Sequence, residues 1–160
     1  MLVGWEDLQQ MVESEMSKVY SKTVIDHALN PRNAGVMDDY SGYATVTGPC
    51  GDTMEIWLRI KNGVIAEANF MTDGCGTTIA AGSMVTEMVK CMPLNQALQI
   101  SQQYILDALE GLPEESRHCA LLAANTLREA VKDYYEYGRE SWKRAYRNRM
   151  NTWKTDEIRE

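Results

Sequence analysis

Apolar positions change period twice along this chain. Trp5, Leu8, Met11, Val12, Met16, Val19 and Tyr20 recur at helical spacing. The spacing predicts helix over residues 5–29, with a break or bend near Met16–Tyr20 and a second helical piece carrying Val24, Ile25 and Ala28. NPRNAG, residues 30–35, ends it with Asn, Pro and Gly. From Tyr43 to Met71 the period drops to two: Met54, Ile56, Leu58 and Ile60 alternate with Glu55, Trp57, Arg59 and Lys61. Asn62-Gly63 then marks a hairpin, and Val64, Ala66, Ala68 and Phe70 resume the alternation. A two-residue loop would pair Lys61 with Val64 and throw the two apolar faces out of phase. A three-residue loop pairs Ile60 with Val64, Leu58 with Ala66, Ile56 with Ala68 and Met54 with Phe70, so it is the predicted register. It puts Asp52 near Thr72 and brings Cys50, Asp52 and Cys75 to one end of the sheet.

Helical spacing returns after Cys75. GTTIAAGSMVTEMVKCM offers Thr77 or Thr78 as N-cap and stops at Met92-Pro93. Residues 94–99 and 101–109 read as two short helices, broken by Gly111-Leu112-Pro113. A long stripe of Ala120, Leu121, Ala124, Leu127, Val131 and Tyr134 predicts helix from Arg117 to Tyr137. The remaining tail is strongly polar with scattered aromatics.

Charge and cysteine usage narrow the picture. A net charge of -7 argues against a nucleic-acid partner, which needs a basic face. The tail basics Lys143, Arg144, Arg147 and Arg149 read as a solvated face. No apolar run is long enough to cross a membrane, and the N-terminus lacks a basic region followed by an apolar one, so no membrane association and a cytoplasmic location are expected. The four cysteines, Cys50, Cys75, Cys91 and Cys119, show no CxxC spacing, which favours reduced thiols over a disulfide framework.

Three of these cysteines sit where chemistry is easy. Cys50 lies two residues before Asp52 at a glycine corner, Cys75 lies between two glycines ahead of a helix, and Cys119 follows His118 at the start of the long helix. A helix N-terminus stabilises a thiolate. Cys91, near a helix end without polar company, reads as a packing residue. His27 reads as a capping or packing histidine, and Met11, Met16, Met84 and Met88 as core or partner surface. Cys50, Asp52, Cys75, His118 and Cys119 form a thiolate, imidazole and carboxylate set suited to tetrahedral zinc or iron. The carboxylate and the missing CxxC knuckle favour an exchangeable site; the bland alternative is four unrelated thiols in a small α+β domain.

The stretches VIDHALNPRNAG (24–35), GPCGDTMEIWLRI (48–60), ANFMTDGCGTTIAAGSMVTEMVK (68–90) and LPEESRHCALLAANTLREAVKDY (112–134) together resemble the U-type iron–sulfur cluster assembly scaffold family, which includes the N-terminal domain of the nitrogen-fixation scaffold. The resemblance spans almost all of residues 20–137. It sets off an N-terminal helical extension, residues 1–19, and a polar C-terminal extension, residues 138–160. With the periodicity it implies an α+β fold: a three-stranded antiparallel sheet with helices packed on one face, an N-terminal helix and a long C-terminal helix.

The resemblance also implies a function. The chain would be a scaffold or carrier rather than an enzyme, on which a [2Fe–2S] cluster is built from iron and desulfurase-derived persulfide sulfur and then passed to acceptor apoproteins. The family's ligand positions fall on Cys50, Asp52, Cys75, His118 and Cys119, with zinc possible in the cluster-free form. Cys119 is the expected persulfide acceptor, by resemblance and by its helix-start position. Implied partners are a cysteine desulfurase, the acceptors and an electron donor such as a ferredoxin, with the chain a monomer or a cluster-bridged dimer. A zinc-bound sulfur acceptor is the alternative with the same ligands. A thiol enzyme using His118 as base to Cys119 is the weakest reading, because adjacent helical residues project about 100° apart. The family often carries LPPVK before its HC pair, read by an Hsp70-type chaperone; here Glu114, Glu115 and Ser116 replace the last three residues, which predicts weak chaperone recognition.

Overall fold

The computed structural model describes residues 4–138 together with 140, 142, 143, 145, 146 and 149. Helices α1 (Trp5–Met16) and α2 (Lys22–Leu29) precede strands β1 (Gly42–Thr47), β2 (Thr53–Lys61) and β3 (Val64–Thr72). Helices α3 (Gly76–Met88), α4 (Leu94–Ala97), α5 (Gln102–Ala108) and α6 (Arg117–Asp133) follow. A single turn of π-helix, Tyr134–Gly138, ends α6. Most of the polar extension expected over residues 138–160, Arg144 and Arg147 included, lies outside the described residues. Among the described residues no helix is long and apolar enough to cross a membrane.

The break expected near Met16–Tyr20 separates α1 from α2. Ser21 starts α2: its Oγ accepts from the Val24 N–H at 3.1 Å and donates to the Leu109 carbonyl at 2.6 Å, which fixes the helix to the end of α5. α1 buries none of its residues.

The three strands form an antiparallel sheet in the order β1-β2-β3, and helices α3 and α6 pack on it. Met54, Ile56, Leu58, Ala68 and Phe70 from the sheet meet Ala80, Ala81 and Val85 of α3 and Ala120, Ala123, Ala124 and Leu127 of α6, all buried. Small residues on both helices let them sit close to the strands. The limit is Gly82, where a Cβ would lie 2.4 Å from Cδ2 of Phe70. On the opposite side of β2, Trp57 is buried beneath Tyr43, with ring centroids 5.3 Å apart.

The β2–β3 register corrects the expected one. Lys61 pairs with Val64 and Ile60 with Ile65 across a two-residue turn, and beyond a bulge Arg59 pairs with Glu67, Leu58 with Ala68, Ile56 with Phe70 and Met54 with Thr72. The turn residues Asn62 and Gly63 both have positive φ, 55° and 74°. This is the primed geometry whose twist matches the strands. The phase problem that argued against so short a loop is solved by one extra residue, Ala66, which restores the apolar face.

Beyond the bulge the observed register is shifted by two residues from the expected one, so Ala68 and Phe70 stay inward; nearer the turn Ile65 is buried in place of the expected Val64 and Ala66, and β2 reaches further along β3. Thr72 therefore sits opposite Met54, not near Asp52, and Asp52 is carried past it toward α3. Helix α3 also begins earlier than expected, with Cys75 at its N-cap, and it ends at Met88. Cys91 lies beyond it with φ 61°, its N–H donating to the Ile65 carbonyl and its side chain exposed, so the packing role expected of it is overturned.

Candidate functional site

Three chain reversals converge at one end of the sheet. The first is the β1–β2 turn. The Gly48 N–H donates to the Asp52 carbonyl at 2.8 Å, the Gly51 N–H donates to the Gly48 carbonyl at 3.0 Å, and Gly51 has φ 86°. Pro49 and Cys50 occupy the corner, with the Cys50 thiol exposed. The second is the β3–α3 junction. Here the Gly74 N–H donates to Thr72 Oγ1 at 3.1 Å and the Asp73 carboxylate accepts from the Thr53 N–H at 2.8 Å, which ties the junction to the start of β2. The third is the first turn of α6, which carries His118 and Cys119.

Two threonines in the first turn of α3 join these reversals. Thr78 Oγ1 donates to Asp52 Oδ2 at 3.0 Å and lies 3.4 Å from Cys119 Sγ and 3.8 Å from Cys75 Sγ. Thr77 Oγ1 lies 3.1 Å from Cys75 Sγ and 3.4 Å from Cys119 Sγ. Both threonines are buried. Their close seating depends on Gly74, since a Cβ there would come within 2.7 Å of the Thr78 side chain. His118 Nε2 lies 3.7 Å from Cys119 Sγ. Sequence reading placed these threonines only as helix caps. Because Cys75 is the cap, their hydroxyls are free to serve the sulfurs.

The two gathered cysteines differ in access. Cys75 is exposed and Cys119 is buried, at 1%. The Cys75 thiol is lowered to about 7, first by the Thr77 hydroxyl and then by the Thr78 and Thr77 groups at the helix start, against partial burial that raises it. The structure thus brings Asp52, Cys75 and Cys119 onto a common pair of hydroxyls, with His118 beside Cys119. Cys50 stands on its turn at the rim. Among the described residues no three cysteine, histidine, aspartate or glutamate side chains are close enough to hold a metal ion. The donor types fit a thiophilic metal, but the arrangement is open.

An apolar groove of about 260 Å³ adjoins Cys75, lined by Met16, Tyr20, Val24, Ile25 and Ala28 on one side and by Gly76, Thr77 and Ser116 on the other. Glu114 and Glu115 lie exposed in a 3-10 turn leading into α6. His27 is buried away from the cysteines. Its Nδ1 is 2.7 Å from Ser83 Oγ, which also accepts from the Arg32 N–H at 2.9 Å, so it joins α2 to α3 as a packing residue.

The family model for the NifU-like N terminal domain matches residues 19–140. An iron-sulfur cluster assembly scaffold protein of Archaeoglobus fulgidus is 44% identical over 118 residues, covering 73% of this chain and 77% of its own. The scaffold protein IscU of Escherichia coli is 42% identical over 120 residues, covering 72% and 93%. A mitochondrial iron sulfur cluster assembly protein of Schizosaccharomyces pombe is 41% identical over 130 residues, covering 78% and 67%. The crystal structure of an N-terminal NifU-like protein of Brucella abortus shares the fold, with a TM-score of 0.61 at 20% identity over 76% of this chain and 97% of that one. From its cysteine-bearing stretches to its sheet and helices, the chain belongs to the NifU-like N-terminal domain family.

Proposed function

We propose that this chain is a scaffold on which a [2Fe–2S] cluster is assembled from iron and desulfurase-derived sulfur and then handed to acceptor proteins in the cytoplasm. The observation that carries the reading is the gathering of Cys75, Cys119 and Asp52 around the Thr77 and Thr78 hydroxyls. It stands in a chain whose relatives are named as such scaffolds. The cluster is cargo. Cys50, Cys75 and Cys119 would hold it, with Asp52 as the exchangeable fourth ligand and His118 as ligand or support to Cys119. An incomplete thiolate set suits release. The open geometry suits a site that closes on its cargo, with Cys50 coming in from the rim on its glycine-flanked turn. The same donors suit zinc when no cluster is held.

Access orders the sulfur chemistry. Cys75 is exposed and its thiol is lowered to about 7, so it meets an incoming persulfide first. Its thiolate attacks the outer sulfur of the desulfurase persulfide, a new S–S bond forms, the desulfurase S–S bond breaks, and the desulfurase cysteine leaves as a thiolate. Once the threonine hydroxyls move off its sulfur, the Cys119 thiolate, the expected acceptor, attacks that outer sulfur; a new S–S bond forms on Cys119, the S–S bond to Cys75 breaks, and Cys75 leaves as a thiolate. Two electrons from a donor such as a ferredoxin split that persulfide into thiolate and sulfide. The protein supplies positions and protonation states, and the desulfurase supplies the catalysis.

Anaerobic reconstitution with ferrous iron, cysteine, a reductant and a cysteine desulfurase, followed by visible absorption and Mössbauer spectra, tests this reading. A [2Fe–2S] signature lost on Cys50→Ser, Cys75→Ser or Cys119→Ser is expected. A chain that keeps tight zinc, accepts persulfide and forms no cluster would replace the scaffold with a zinc-bound sulfur acceptor.

A further inference from the structure

Helix α1 shows an apolar stripe that nothing in the described fold covers. Trp5, Leu8 and Val12 are 79%, 50% and 52% exposed. With Met16 and Leu29 they line an open groove of about 230 Å³. Glu6, Glu13 and Glu15 flank the stripe, Asp7 lies on the far face where it caps the Gly4 N–H, and α1 contains no lysine or arginine. Among the described residues its one ion pair, Glu15 to Lys18 at 2.8 Å, is with a residue past its end and is exposed on both sides.

The other end of the chain carries the complement. In RESWKRAYRNRMNTWK, residues 139–154, Trp142, Tyr146, Met150 and Trp153 recur at steps of four, four and three, the spacing of one helical stripe. Arg139, Lys143, Arg144, Arg147, Arg149 and Lys154 accompany them against a single acid, Glu140, in a chain whose net charge is -7. Trp142 and Tyr146 are 65% and 61% exposed. Lys143 holds Glu140 at 2.9 Å in an exposed pair, which does not cancel the excess of positive charge.

We propose that α1 of one copy docks residues 139–154 of a second copy, and the reverse, forming a two-fold dimer. The two stripes would make the apolar seam and the flanking acids and bases would set the pairing, as at the flanking positions of a coiled coil. The placement of the two segments selects a second copy over the same chain. α6 packs along β1; α3 packs on α6 and on β3, α2 packs on α3, and α1 lies outside α2 beside Leu29. Trp142 and Tyr146 are exposed in the same chain as the exposed α1 stripe, so the described part of the segment does not cover its own α1. A second copy is therefore the occupant, its segment meeting the α1 of its neighbour. Reciprocal contacts of this kind close on themselves at two copies. The dimer needs no cysteine and no metal, so it is separate from one bridged by a cluster.

The test is the mass of the full chain, reduced and freed of metal with a chelator, by size exclusion with light scattering at tens of micromolar. A dimer is expected, weakened at least tenfold in dissociation constant when salt is raised from roughly 0.05 M to 0.5 M, where charge attraction is screened. The triple variant Glu6→Lys, Glu13→Lys, Glu15→Lys should be a monomer, and so should Lys143→Glu, Arg144→Glu, Arg147→Glu. α1 buries nothing and Asp7 keeps its cap on the Gly4 N–H, so the urea midpoint of the first variant should match the parent. Mixing the two monomers should restore a dimer with one chain of each, a result that damage to either fold could not give. A monomeric parent, a dimer that survives either reversal, or a mixture that stays monomeric would each overturn the proposal.

Discussion

Replacing Thr77 by valine removes one hydroxyl and keeps the shape of the side chain. That hydroxyl, 3.1 Å from Cys75 Sγ, is the largest cause lowering the thiol to about 7. At pH 7 the parent thiol is about half ionised, whereas an ordinary cysteine, near 8.5, is roughly 3% ionised, a ratio of about 16. Intrinsic nucleophilicity falls with pKa, with a slope of about 0.45, so a thiolate lowered by about 1.5 units attacks roughly fivefold more slowly. The parent therefore keeps only about a threefold advantage at pH 7. If Thr77 carries the whole effect, Thr77→Val loses about threefold in rate at pH 7 and gains about fivefold near pH 10, where both thiols are ionised. The backbone N–H groups of α3 remain in the variant, so these are upper limits. The assay is iodoacetamide alkylation of the peptide bearing Cys75, followed by mass spectrometry from pH 5.5 to 10. Crossing rate–pH curves are expected. Superimposable curves with a midpoint near 7 would show that the helix start alone holds the thiolate, and a parent midpoint near 8.5 would refute the electrostatic account altogether.

Other outcomes follow from the same geometry. Gly82→Ala sets a Cβ 2.4 Å from the buried Phe70 ring; overpacking of about 1–3 kcal/mol should outweigh the roughly 1 kcal/mol gained in helix propensity, lowering the urea midpoint. His27 is held below its ordinary value by burial and then by the Arg32 guanidinium. The unfolded chain thus takes up its proton first: this contribution to stability is complete above about pH 6.5 and falls as the pH drops toward the folded value. His27→Gln should flatten that part of the pH dependence of urea unfolding. In a reconstituted sample, Asp52→Ala should lengthen the half-life of the cluster in a transfer assay, and a faster loss would count against Asp52 as the exchangeable ligand. An Hsp70-type chaperone selective for LPPVK peptides should fail to retain the chain on a pulldown, because Glu114 and Glu115 present acids at that segment; tight retention through residues 112–116 would refute this.

Period alone placed most elements, because burial against one layer demands it: the β2 and β3 alternation, the α6 stripe and the α1–α2 break all appear where the pattern put them. The hairpin register was not legible for a physical reason. Beyond the bulge, registers that differ by two residues bury the same side chains, Ala68 and Phe70, so the apolar pattern there cannot separate them. What separated them was the left-handed preference of Asn62-Gly63 together with a bulge at Ala66, where the apolar run Val64-Ile65-Ala66 interrupts the alternation and buries Ile65. The same two-residue shift moved Asp52 from Thr72 to Thr78, and with it the polar centre of the site.

The make-up of the candidate site was legible by residue type but not by access. Cys75 and Cys119 both look like helix-start thiols in the sequence, and sequence reasoning ranked Cys119 higher. α6 presses its first turn against the start of α3, which buries Cys119 under Thr77 and Thr78 and leaves Cys75 on the groove wall. Burial divides the two sulfurs: the buried one lies beside His118, and the exposed one is the thiol lowered to about 7. Under the proposed sulfur relay, a site arranged this way would separate receiving sulfur from keeping it. An acceptor that were both exposed and the final holder would leave its persulfide open to any passing thiol. Moving the sulfur one hydroxyl inward, from Cys75 to Cys119, would put it beside the carboxylate and behind the threonines, where iron could be bound before another thiol arrives.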